Sequence, residues 1–269
     1  MAGAGAIATE AMEALEANRQ IEPFTTRIPG FGNRGAYAVT AQLRAMNEAR
    51  GAMTVGRKIG FTNRGIWREY GVYEPIWGYM YDTTVRLVGL GEAIPVSHLP
   101  EPRIEPEIVL GLDAGLRPGM AASDIAQAIA WVAHGFEIVQ SIFPNWRFSA
   151  ADCIANGGLH GALFHGPKCM IAPADRSALP EQLAALSVTL SRDGATIETG
   201  IGSNALDGPV EALRHLVGGL ANDPNNPPIQ AGEMITTGTL TRAFPIQTGE
   251  RWSTEIIGFD LPGLDVRTA

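Results

Sequence analysis

The stretch Ile104-Glu105-Pro106-Glu107-Ile108-Val109-Leu110 sets two carboxylates in an otherwise apolar run. The run reads as a strand, and alternate side chains of an extended chain share a face, so Glu105 and Glu107 point the same way. Like charges on one face repel, and burying either is costly unless a cation or proton compensates. Either that face is wet or something positive sits on it. Pro106 has no N–H to give a ladder, which suits an edge strand.

A third carboxylate enlarges the question. Glu137 lies in Phe136–Ile142, "FEIVQSI", again a charge inside a β-rich run. A strand–helix–strand path from 104 to 142 can lay this run beside the first. Three carboxylates converging on one point form a hard-oxygen site for Mg²⁺ or Mn²⁺. The plain alternative is a solvated strand face. His and Cys at zinc-ligand spacing are absent, which argues against zinc.

Around these strands the pattern predicts helices over 4–18 and 36–50, then a strand in "MTVGRKIGF" ending at a Thr62-Asn63 cap. A brief helix over 64–70 closes at Gly71, followed by strands over 76–81, 84–89 and 104–111. Ser123-Asp124 opens a helix expected to run over 123–133 and stop by Gly135. "VTLSRDGATIE" reads as a hairpin turning at Asp193-Gly194. A helix over 209–220 starts at Pro209, a polar loop spans 222–233, and short strands follow at 233–236, 244–247 and 253–259. The balance is α+β, with a helical and strand N-terminal part over 1–75 and a strand-rich catalytic body over 76–269, read as one continuous unit.

Composition narrows the function. The chain has 269 residues, 45% hydrophobic and 18% charged, ordinary for a globular protein with a real core. A net charge of −8 gives a nucleic-acid partner no electrostatic support. No apolar run approaches the ~20 residues of a membrane span. The N-terminus lacks the basic and apolar regions of a signal peptide, and Cys153 and Cys169 alone fit a reducing cytoplasm.

Of 20 basic residues only Lys58 and Lys168 are lysine, so each invites a reason. Lys58 sits in the apolar "VGRKIGFTN". It is either a snorkelling surface amine or an amine tuned by burial to donate, accept or offset charge. Gly200–Ala205, "GIGSNA", matches a dinucleotide fingerprint in form, but a hairpin precedes it and no βαβ unit surrounds it. A G-x-S-x-G elbow is absent. His134, His160 and His165 cluster mid-chain; His160, in "NGGLHG", is the best acid/base candidate. Trp146 and Arg147 are candidates for bordering a site.

Lys58-Ile59-Gly60 with Thr62, Glu105-x-Glu107, Glu137-Ile138-Val139 with Ser141, Trp146, Asp152, "GSNALDGPVEAL" and "AGEMITTGTLT" occur in one order. In this the chain resembles the 2-oxopent-4-enoate hydratase and 4-oxalocrotonate decarboxylase family of the fumarylacetoacetate hydrolase superfamily, over about residues 18–260. The resemblance implies a mixed β-roll, Mg²⁺ (or Mn²⁺) held by Glu105, Glu107 and Glu137, an active-site Lys58 and homo-oligomeric assembly. It places Ile59, Ile76, Leu159 and Thr237 at the substrate, a 2-oxo or 2-hydroxy-dienoic acid from aromatic-compound catabolism. The chain departs from the pattern twice. Ile76 stands where the family has an acid/base Asp, and Leu159-His160 replaces paired serines. Lys58 is then expected to handle the proton, with His160 as a second acid/base. Two other readings stay open: a metal-dependent C–C hydrolase of an acylpyruvate or β-diketone, and a non-catalytic small-molecule-binding relative.

Overall fold

The computed structural model describes residues 3–221 and 223–269. Asn222, the first residue of the polar loop expected at 222–233, lies outside them. Helix α1 (Ala4–Glu16), the short α2 (Phe24–Arg27) and α3 (Asn33–Ala49) pool Ile7, Met12, Phe24, Val39 and Leu43 in one apolar cluster. Strand β1 (Thr54–Gly60) follows. The Asn63 side chain then accepts from Gly65 N, capping a turn that runs into α4 (Trp67–Tyr70), closed by Gly71 in the left-handed region.

Next come β2 (Ile76–Tyr81), β3 (Val85–Leu87), β4 (Glu92–Ile94) and the long β5 (Arg103–Leu112). The helix expected over 123–133 is shorter: α5 (Ala122–Gln127) ends early, and residues from Ile129 belong to β6 (Ile129–Val139). Spacing of Ile125, Ile129 and Val132 fits a helix, but an antiparallel ladder reaching from Arg103↔Val139 to Leu112↔Ile129 overrides it. Beyond it lie α6 (Ala150–Ala155), β7 (His160–His165), β8 (Cys169–Met170) and α7 (Leu179–Ala185). The hairpin forms as β9 (Ser187–Arg192) and β10 (Ala195–Ile201), turning at Asp193 and Gly194, both at positive φ. Helix α8 (Pro209–Leu220), β11 (Met234–Thr239), β12 (Phe244–Pro245), β13 (Arg251–Ile257) and β14 (Asp265–Thr268) complete the chain.

Among the described residues the strands make two mixed sheets. The larger runs β2-β1-β11-β5-β6-β7-β3, with β12 added beside β5 and β8 beside β6. The smaller runs β10-β9-β13-β14-β4. Strand β5 therefore lies between β11 and β6, and the edge expected from Pro106 is corrected. Pro106 is tolerated because its carbonyl accepts from Leu240 N on the β11 side, where its missing N–H also points. There the β5–β11 register slips between Thr236 and Thr239. No described helix is long and apolar enough to cross a membrane.

His134 joins the two sheets. On β6, its Nδ1 lies 3.0 Å from Glu107 O and its Nε2 2.8 Å from Thr254 Oγ1 of β13. Burial lowers its pKa to about 4, so the folded protein holds it neutral. The unfolded chain takes up this proton near pH 6.5 and the native one does not, so stability falls as pH drops from about 6.5 towards 4, by at most on the order of 3 kcal/mol. His134→Asn, which keeps a donor near Nδ1 and does not titrate, should flatten this slope in urea unfolding compared at pH 5 and 7.

Candidate metal centre and active site

The acidic site is built by strand register. Glu105 of β5 stands directly opposite Glu137 of β6, and Glu107 is two residues along the same face as Glu105. Ligand oxygens of Glu105, Glu107 and Glu137 lie within 4.8 Å of one another. Glu107 and Glu137 are fully buried. Each uses one oxygen inside the protein and leaves the other free. Glu107 Oε2 accepts from Gly238 N at 2.8 Å while Oε1 has no partner. Glu137 Oε1 meets His160 Nδ1 at 2.8 Å and Lys58 Nζ at 3.4 Å, while Oε2 has none. Gly238 is needed for this approach: at φ +93°, a Cβ there would lie 1.7 Å from Thr62 Oγ1.

Charge follows the geometry. Burial pushes the Glu105 carboxyl up to about 7, with Lys58 pulling it down and Glu137 pushing it up further. Burial, then Glu137 and Glu105, raise Glu107 well above the carboxylate range. Glu137 is the exception: burial raises it, but Lys58 and His160 together bring it below its ordinary value. For Lys58, burial disfavours the ammonium, yet Glu137, Glu105 and Glu107 outweigh that and raise its pKa. One buried cation therefore faces three acids. Orphaned, converging, all-oxygen donors fit a Mg²⁺-like ion, whose charge would offset the burial and repulsion that otherwise hold protons on two of them.

In front of the triad lies a cavity of about 200 Å³. Lys58 and Glu105 form its floor; Phe61, Tyr70, Trp146 and Leu159 supply apolar wall. Arg103, on the same face of β5 as Glu105, donates to Tyr70 Oη at 2.6 Å and stacks 4.2 Å over the Trp146 ring.

Comparison with known proteins decides the kinship. The chain is 30% identical over 247 residues to 2-hydroxyhexa-2,4-dienoate hydratase of Comamonas testosteroni, covering 91% of this chain and 90% of that one. The chain belongs to the 2-oxopent-4-enoate hydratase and 4-oxalocrotonate decarboxylase family. The 4-oxalocrotonate decarboxylase of Pseudomonas sp. strain CF600 is 29% identical over 232 residues, 86% of this chain and 84% of that one. Among solved structures, 4-oxalocrotonate decarboxylase from Pseudomonas putida G7 complexed with magnesium and adipate superposes with a TM-score of 0.89 at 27% identity, covering 99% of this chain and 97% of that one. Fumarylpyruvate hydrolase from Pseudomonas aeruginosa, in complex with Mn²⁺ and pyruvate, shares the fold at a TM-score of 0.58 and 18% identity, covering 79% of this chain and 88% of that one. No protein-family model matches the chain.

Of the residues expected at this family's site, Lys58, Glu105, Glu107 and Glu137 converge, and Leu159 lines the cavity. Others point elsewhere. Ile59 follows Lys58 on β1, so alternation turns it into the core among Trp77 and Leu110. Thr237 is buried and donates to Ile108 O at 3.1 Å. Ile76 is 1% exposed, packed beneath Gly60 in the apolar cluster of Val139 and Leu159. His160 lines a second cavity instead, of about 200 Å³, with Thr84, Gln140 and Asn156. Arg103, Tyr70 and Thr239 were not expected in the wall. For Arg103 the signal was present, since positions 103, 105 and 107 alternate onto one face. Trp146 lines the wall; Arg147 is not among its residues.

Proposed function

We propose that the protein is a divalent-metal-dependent lyase, of hydratase or decarboxylase type, acting on a 2-oxo or 2-hydroxy-dienoic acid of aromatic-compound catabolism. The observation that carries this is the triad with its free buried oxygens beside a buried lysine. Glu105, Glu107 and Glu137 would hold the ion, Mg²⁺ or Mn²⁺. When bound, it supplies Lewis-acid stabilisation of negative charge developing on the substrate's 2-oxygen. Lys58, buried between Gly60 and Gly158, is placed to hold or deliver the proton at the reacting carbon. Phe61, Tyr70, Trp146 and Leu159 exclude water from the tail, and Arg103 gives the cavity a fixed positive charge for an anionic substrate. Ile76 moves no proton, so the chain works with fewer acid/base groups than the family pattern provides.

Relatives named as a hydratase and as a decarboxylase support the lyase reading. A homo-oligomer accords with the exposed side chains of Leu87, Leu90 and Met170, the second of these 80% exposed. Sedimentation velocity tests it. Free Cys153 and Cys169 accord with a reducing, cytoplasmic setting.

The test is turnover. Mg²⁺-loaded protein is offered 2-hydroxypenta-2,4-dienoate, a 2-oxohexenedioate and an acylpyruvate, with ultraviolet absorbance following loss of the conjugated acid and NMR identifying products. A hydrated acid or CO₂ is expected, and a chelator should abolish both. Two carboxylic fragments would instead mark a C–C hydrolase, and no turnover of any 2-oxo acid a non-catalytic relative.

A further inference from the structure

We infer that His160 is a positioning residue, holding Glu137 in the orientation that presents Oε2 to the cation, and does not move protons at the substrate. This rests on the metal reading above. Both ring nitrogens are engaged: Nδ1 lies 2.8 Å from Glu137 Oε1 and Nε2 2.9 Å from Thr84 Oγ1. A carboxylate only accepts, so the Nδ1 proton points at Glu137. Thr84 is itself anchored, its Oγ1 lying 3.1 Å from Tyr81 O just past β2. The side chain is 5% exposed and faces the second cavity, away from the one floored by Lys58 and Glu105. No nitrogen is left for a substrate.

What the ring does instead is fix a plane. Glu137 Oε1 is held by His160 at 2.8 Å and by Lys58 at 3.4 Å, which restrains rotation of the carboxylate. Its Oε2 is then delivered, buried and unpartnered, to the point shared with Glu105 and Glu107. Hydrogen bonds that orient a metal-binding side chain in this way typically carry ~10–100-fold in affinity. The placement of His160 is itself built. The β6–β7 register slips so that Val139 faces His160 while Ile138 faces Ala162, leaving Gly161 as the extra residue. A Cβ on Gly161 would lie 2.7 Å from Ile138 O.

The experiment measures Mg²⁺ affinity by calorimetry and Mn²⁺ affinity by electron paramagnetic resonance on intact variants. In His160→Asn the amide nitrogen falls near Nδ1 and can still reach Glu137; in His160→Gln it falls nearer Nε2. His160→Ala should weaken both metals by ~10–100-fold. His160→Asn should restore most of that affinity, and His160→Gln should not. His160→Asn should also turn over near the wild-type rate at saturating Mg²⁺, whereas an acid/base role, which an amide cannot fill, would cost it that rate. Unchanged affinity in a folded His160→Ala, Asn no better than Gln, or a His160→Asn that binds metal normally but has lost its rate each overturn the inference. If His160→Ala fails to fold, the Asn and Gln comparison decides alone. Wild-type protein that binds neither ion overturns the metal site itself, and this inference with it.

Discussion

Lys58→Arg should lose roughly 10²–10⁴-fold in kcat, the usual scale for removing acid–base help, although the positive charge is kept. Lys58 is 2% exposed, and its chain runs through a slot left by two glycines. A Cβ on Gly158 would sit 2.9 Å from Lys58 Cδ, and one on Gly60 3.3 Å from Nζ. A planar guanidinium is wider than an ammonium, does not titrate usefully, and cannot turn within that slot. Steady-state kinetics at saturating Mg²⁺ separates a proton-transfer role from a merely electrostatic one. Normal turnover in Lys58→Arg would leave Lys58 as a charge only. Circular dichroism with Mg²⁺ present guards against misfolding, because breaking a buried pair such as Lys58–Glu137 can cost ~3–5 kcal/mol.

Glu107→Gln should abolish tight Mg²⁺ binding, with a loss exceeding the ~10–100-fold that follows from removing a supporting hydrogen bond. The substitution is chosen because the amide oxygen can still accept from Gly238 N, now made by Glu107 Oε2 at 2.8 Å. Only the free, buried oxygen changes character, from anionic donor to a neutral amide. The metal-free protein should become more stable near neutral pH, since burial holds Glu107 protonated in the native state while the unfolded chain ionises it, and an amide carries no such cost. Calorimetry and thermal unfolding without metal together make the test. Unchanged Mg²⁺ affinity would place the ion elsewhere.

The site was legible in the sequence to the extent that period-two alternation could carry it. Glu105 and Glu107 share a face by spacing alone, and Glu137 announced itself as a charge in an apolar strand. Their meeting depended on Glu105↔Glu137 pairing, which no local pattern dictates. Helix α8 and the β9–β10 hairpin were legible because Pro209 and Asp193-Gly194 are strong local signals. The helix over 123–133 failed past Gln127 because a buried strand and a buried helix can share apolar spacing, and long-range pairing chose between them. The same alternation that aims Lys58 at the acidic triad turns Ile59 to the opposite face, into the core. His160 stood out as a residue, but its placement against Glu137 did not, because a register slip at Gly161 sets it.

The facing of Glu105 and Glu137 across neighbouring strands makes the cation a parity check on the ladder. Slide β6 by one residue and Phe136 or Ile138 stands opposite Glu105, while Glu137 swings to the other face of the sheet. A mispaired chain therefore holds no complete triad, however native its helices and hairpin. A ligand that recognises only the correct pairing adds about 2.7 kcal/mol to it at a hundredfold excess over its Kd and nothing to the slipped alternatives. For a chain whose large sheet is assembled from distant segments, the ion that serves chemistry in the finished enzyme also discriminates, during folding, between odd and even registers.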